Sequence, residues 1–193
     1  MNIKEILGSL AVILTFVAFI PYIYSIFIGK TKPHVFSWVI WGITTFIVCF
    51  AQIADNGGAG AWSTGISGVT TMFIAWLAYI KKSDSSITRV DWFFFILALS
   101  AIPFWYLTSN PLWAVIILTS IDTVGFAPSI RKAYVKPFED QLLMYAVVAV
   151  RNIVAIAALE NYSLTTVLFP GVMTVTCAGF IVLVLLRRKA VLL

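Results

Sequence analysis

Apolar residues run in seven long blocks, broken only by short polar stretches. The blocks are Ile6–Ile28, Val35–Ala54, Ala61–Ile80, Trp92–Thr108, Leu112–Ile130, Gln141–Leu159 and Leu164–Leu186. A helix needs about 20 apolar residues to cross a hydrocarbon core, and these blocks match that length. Backbone groups in lipid must bond within their own segment, so the blocks predict helices. The expectation is an all-α membrane protein with seven transmembrane helices and almost no chain left for a soluble domain.

The pattern also repeats. At an offset of 107 residues Phe19-Ile20-Pro21 falls on Phe126-Ala127-Pro128, Trp38 on Tyr145, Thr45 on Asn152 and Lys81 on Arg188. The repeat covers helices one to three and five to seven. Each unit has an odd number of helices, so an extra fourth helix is needed to bring the two units parallel. The predicted organisation is a three-helix repeat over 1–82, a linker helix over 83–110 and a second three-helix repeat over 111–193, a 3-1-3 plan. Internal duplication in an apolar chain is a transporter signature, with the substrate site where the repeats meet.

Composition agrees: 61% of the 193 residues are hydrophobic and 11% charged. Placing the amino terminus outside puts eleven of the thirteen Lys and Arg residues on one side, in three loops and the carboxyl-terminal tail. By the positive-inside rule the carboxyl terminus is then cytoplasmic. The net charge of +5 reads as topology rather than nucleic-acid binding, because the cations are spread over four short segments. The first helix lacks a basic leader and a small-residue cleavage site, so it is expected to be retained. The compact length points to a bacterial inner membrane. Cys49 and Cys177 fall inside helices as buried thiols, and no metal-ligand spacing exists. Asn161-Tyr162-Ser163 forms a sequon on an outer loop.

The 3-1-3 plan, with a proline late in the first helix of each repeat, resembles the SWEET and PQ-loop transporter superfamily. Carriers of the PnuC type share the plan. The Pro-Gln pair of that family reads Pro21-Tyr22 and Pro128-Ser129 here. Ser37 and Trp41 match the Ser and Trp four apart on its second helix, whereas Met144 and Val148 replace them in the second repeat. No Asn stands on the third helix, where Thr64, Ser67, Thr70 and Thr71 are the polar residues. The resemblance implies a seven-helix carrier of a small polar solute such as a sugar or a vitamin precursor.

Two charges carry the candidate chemistry. Asp122 and Arg151 each fall eleventh of nineteen in their predicted helices, near mid-depth. Each costs about 2.5–3.5 kcal/mol to insert there, so neither should face lipid. An Asp122–Arg151 ion pair beside a central cavity is expected, either as a site or gate or only to fix helix packing. On helix two, Trp38, Trp41, Thr45, Val48 and Gln52 share one face at three- and four-residue steps. Tyr145, Val148, Asn152 and Ala155 form the matching stripe on helix six. Rings with a few amides and hydroxyls suit a planar or sugar-like solute. The candidate binding residues are Trp41, Thr44, Thr45, Gln52, Ser67, Asp122, Arg151, Asn152 and Thr174. Pro21, Pro128, Pro170 and Gly171 are candidate hinges.

An enzyme is the first rival. Gly65-Ile66-Ser67-Gly68 matches an intramembrane serine-protease pattern, but the single histidine, His34, stands in the loop before helix two, away from that serine. The second rival is a seven-helix receptor or another non-transporting membrane protein of the same superfamily. A retinal protein is excluded because every lysine lies in a loop or at a helix end. No nucleotide-binding loop exists. The reading is therefore a carrier that is not an enzyme and uses no cofactor. Its partners are a small-molecule substrate and the lipid bilayer, not nucleic acid. It works by alternating access, facilitative or proton-coupled, and requires no oligomer.

Overall fold

The computed structural model describes residues 2–83, 87–126, 130, 133–135, 137–138 and 142–192. It is all-helical among these residues. The helices are α1 (Ile3–Phe27), α2 (Val35–Ala54), α3 (Trp62–Ile80), α4 (Arg89–Thr108), α5 (Pro111–Gly125), α6 (Leu142–Ala157) and α7 (Leu164–Leu192), with a 3₁₀ turn at Gly58–Ala61 before α3. Five are long and apolar enough to cross a membrane: α1, α2, α3 with its 3₁₀ turn, α4 and α7. These mark a multi-pass membrane protein. α5 and α6 are apolar but shorter, at 15 and 16 residues.

Local chemistry sets the helix starts. Asn2 caps α1 and Thr88 caps α4, each in a reciprocal box with Glu5 or Asp91. Asn110 caps α5, with Pro111 at the first helical position, where its missing N–H is no loss. His34 caps α2 through Ser37. α1 runs through Pro21 and α7 through Pro170 without ending. α5 departs from expectation. It ends at Gly125 instead of Ile130, its last N–H groups tightening into a three-residue turn at Phe126. Pro128 lies outside the described residues.

Packing repeats in the two halves. α3 packs on both α1 and α2, and α7 packs on both α5 and α6. Between the halves α1 packs on α6 and α2 on α5, with lighter contacts of α2 on α7 and α3 on α6. α4 packs on α5 and α2. Its buried residues are Ala98 and Ala101 alone, while Phe93, Phe104 and Tyr106 are exposed. Ile40, Ile47, Val48, Val115, Leu118 and Phe169 belong to the largest apolar cluster, which joins α2, α5 and α7.

The two ends of the bundle differ. At the amino-terminal end Lys4 donates to the Ala157 carbonyl and to the Tyr162 hydroxyl, both at 2.8 Å. Glu160 N–H donates to the Gly57 carbonyl at 3.2 Å, Asn161 Nδ2 to the Asp55 carbonyl at 2.9 Å, and Ser163 Oγ to the Asp55 carboxylate. The sequon amide of Asn161 is thus engaged in the fold. Glycines let the backbones close here: a Cβ on Gly8 would stand 2.7 Å from the Ala59 carbonyl, and one on Gly60 2.7 Å from that of Ala155. The opposite end is basic. There Lys81 donates to the Phe27 carbonyl, Arg188 to that of Pro137, and the Arg187 guanidinium lies over the Tyr134 ring.

Candidate functional site

The polar residues singled out from the sequence are nearly all inside the bundle. Thr44, Thr45, Gln52, Ser67, Asp122, Arg151 and Asn152 are buried, and Trp41 and Thr174 are half-buried. Helical periodicity explains this. Thr45, Val48 and Gln52 lie on one face of α2, and that face is turned inward. Asn152 and Ala155 do the same on α6.

These residues form two polar clusters, not one. The first joins α2 and α5. Thr44 Oγ1 donates to Asp122 Oδ1 at 3.2 Å and also approaches the Trp41 carbonyl at 2.9 Å. Thr45 Oγ1 donates to the same carbonyl at 2.7 Å. The Trp41 ring packs over Gly125, where a Cβ would stand 3.3 Å from the indole nitrogen. Asp122 sits in the last turn of α5 because the helix stops at Gly125, so the expected mid-helix position is corrected.

The second cluster joins α6 and α3. Arg151 Nη1 donates to the Ser63 carbonyl at 3.3 Å and to Ser67 Oγ, and Nη2 donates to Asn152 Oδ1 at 2.5 Å. The expected Asp122–Arg151 ion pair does not form. Each charge is held by neutral groups on a different helix pair, α2 with α5 and α3 with α6. Gln52 makes a further crossing, donating from Nε2 to the Thr166 carbonyl of α7 at 3.0 Å. Several buried polar atoms have no partner: Arg151 Nε, Asn152 Nδ2, Gln52 Oε1, Ser63 Oγ and Thr119 Oγ1. Unpaired polar atoms are costly in a dry interior and mark places where a solute or water binds.

Other expectations are placed as follows. Thr174 bonds back to the Pro170 carbonyl of its own helix at 2.8 Å. Ser37 shares a hydrogen bond with His34 Nδ1 at the start of α2, away from both clusters. Ser67, the serine of the protease-like pattern, is bonded to Arg151. Trp38 is buried among Phe19, Tyr22 and Trp41, so it is a core ring. Cys49 and Cys177 are free and buried. Pro21 is exposed on α1, and Pro170 is buried with Gly171 beside it in α7.

The sequence did not point to Ser63 or Thr166. Ser63 lies one turn before Ser67 on the same face of α3, a spacing that would have found it. Thr166 contributes its backbone carbonyl, for which sequence carries no signal. A groove of about 540 Å³ lies between α5 and α7, lined by Leu112, Ile116, Thr119, Thr123, Leu168 and Val172 among others, and by none of the expected binding residues. Among the described residues no three His, Cys, Asp or Glu side chains cluster as metal ligands. No family model matches the chain, and neither a curated protein nor a solved structure does.

Proposed function

We propose that this chain is a membrane carrier of a small polar solute, built as seven spans in a duplicated 3-1-3 plan and working by alternating access. The observation that carries the reading is the matched packing of the two halves around buried polar groups. α1, α3 and α2 pack as α5, α7 and α6 do, and the contacts between halves, α1 on α6 and α2 on α5, exchange under the same correspondence. Asp122, Arg151, Asn152 and Gln52 are buried on the helices that make those contacts. Such charges in a membrane bundle are expensive and ordinarily serve a substrate path.

In this reading α5 and α6 span despite their length because longer helices flank them. The basic end faces the cytoplasm, the amino terminus lies outside, and the membrane is a bacterial inner membrane. The hydrogen bonds at the amino-terminal end then close the outer side. The resemblance to the SWEET and PQ-loop plan fits this picture, and no catalysis or cofactor is invoked.

The test is reconstitution into liposomes loaded with an unlabelled solute, followed by uptake of labelled solute, across sugars, nucleosides, vitamins and organic acids. Counterflow of one class, lost in Asp122→Asn or Arg151→Ala, is expected. Saturable binding without counterflow would replace the carrier by a receptor.

A further inference from the structure

Arg151 is the only cation among the buried described residues, at 5% exposure. A guanidinium carries five N–H groups. Three are used, and all three acceptors are neutral: the Ser63 carbonyl, the Ser67 hydroxyl and the Asn152 side-chain carbonyl. Nε has no acceptor, and neither has Nδ2 of the adjoining Asn152. Among the described residues no carboxylate stands within ion-pair distance of Arg151, and Asp122 bonds Thr44 instead. Neutral acceptors orient a guanidinium but do not neutralise it. A buried cation without a counter-charge is strongly disfavoured.

The missing partner therefore has one negative charge and at least two acceptor atoms. A carboxylate has both, in the planar arrangement that a guanidinium fork accepts bidentately. A phosphate dianion fits less well, because one arginine would leave it half neutralised and no second cation is buried among the described residues. We propose that Arg151, oriented by Ser63, Ser67 and Asn152, binds the carboxylate of a small monocarboxylate solute. The inference deepens the carrier reading by naming the substrate class, and it rests on that reading only in treating the bound anion as cargo.

The test uses the purified full chain in detergent. Its melting temperature is followed with formate, acetate and benzoate against chloride at equal ionic strength, and with formamide, acetamide and benzamide as neutral counterparts. A ligand that binds the folded state raises melting by mass action. The carboxylates raise it in a concentration-dependent way and the amides do not. Arg151→Gln abolishes the shift, and Arg151→Lys, which keeps charge but loses the fork, weakens binding about tenfold. If Arg151→Gln does not fold, Ser67→Ala and Asn152→Ala carry the test and weaken carboxylate binding about threefold or more.

Equal shifts by amides, no shift by any carboxylate, or a shift that survives in a folded Arg151→Gln would overturn the site. A larger shift by phosphate would overturn the monocarboxylate class. Carboxylate binding without counterflow would sink the carrier reading alone, whereas counterflow of a neutral solute without carboxylate binding would sink this site alone.

Discussion

Phe126 meets Tyr145 edge to face, ring centroids 6.2 Å apart, as Phe19 meets Trp38 at 6.5 Å. The two pairs are related by the offset of 107 residues. A weak similarity along the chain is thus a repeated contact in space, joining α1 to α2 in the first half and the residue just past α5 to α6 in the second. Such pairs contribute about 0.5–1.5 kcal/mol beyond burial. Trp38→Ala is expected to cost about 3 kcal/mol, since it empties a buried ring site. A Phe19→Leu and Trp38→Phe double-mutant cycle should show coupling of about 1 kcal/mol in reversible unfolding from mixed micelles.

Gly60 and Gly179 make a matched comparison. A methyl group on Gly60 would strike the Ala155 carbonyl and the Leu159 side chain, whereas one on Gly179 would meet nothing within 4 Å. Gly60→Ala should lose about 1–3 kcal/mol through forced separation of the 3₁₀ turn from α6. Gly179→Ala lies within α7 and should be neutral or gain up to about 1 kcal/mol through helix propensity. Melting temperatures in one detergent decide; equal losses would mean that the Gly60 contact is not close.

Asp122 depends on one neutral donor. Thr44→Val removes the hydroxyl that donates to Oδ1 and should cost about 1–3 kcal/mol, because a buried carboxylate loses its partner. Asp122→Asn retains an acceptor oxygen for Thr44 and should fold at least as well. If Thr44→Val melts with wild type, that hydrogen bond contributes nothing to folding.

The amino-terminal end offers a lock. Asp55 and Ser163 are in hydrogen-bond contact across the two halves. A disulfide formed between D55C and S163C should stop counterflow by holding that end shut, and a reductant should restore it. Transport unchanged in fully crosslinked protein would show that this end does not open.

Much of this architecture is legible in the sequence, for physical reasons. α2 begins and ends at Val35 and Ala54 as the apolar pattern predicts, because lipid fixes a helix length that composition reports directly. The burial of Thr45, Gln52 and Asn152 followed from helical periodicity. What failed was pairing. Asp122 and Arg151 share predicted depth, but partner choice depends on how each helix is rotated and on which neighbour it meets. Periodicity describes one helix at a time. α5 also stops at Gly125, and no pattern of apolar residues marks that end.

α4 gives the bundle a spine. It packs on both α2 and α5, whereas among the described residues α1 and α6 share only α3 and the 3₁₀ turn as common neighbours. The two seams between the halves therefore have different neighbours. One is splinted by α4, and the other rests on the direct packing of α1 on α6, with Lys4 tied to the Ala157 carbonyl at its amino-terminal end. In the carrier reading α4 makes the edge of α2 with α5 the bound spine of a book, about which the two halves would turn.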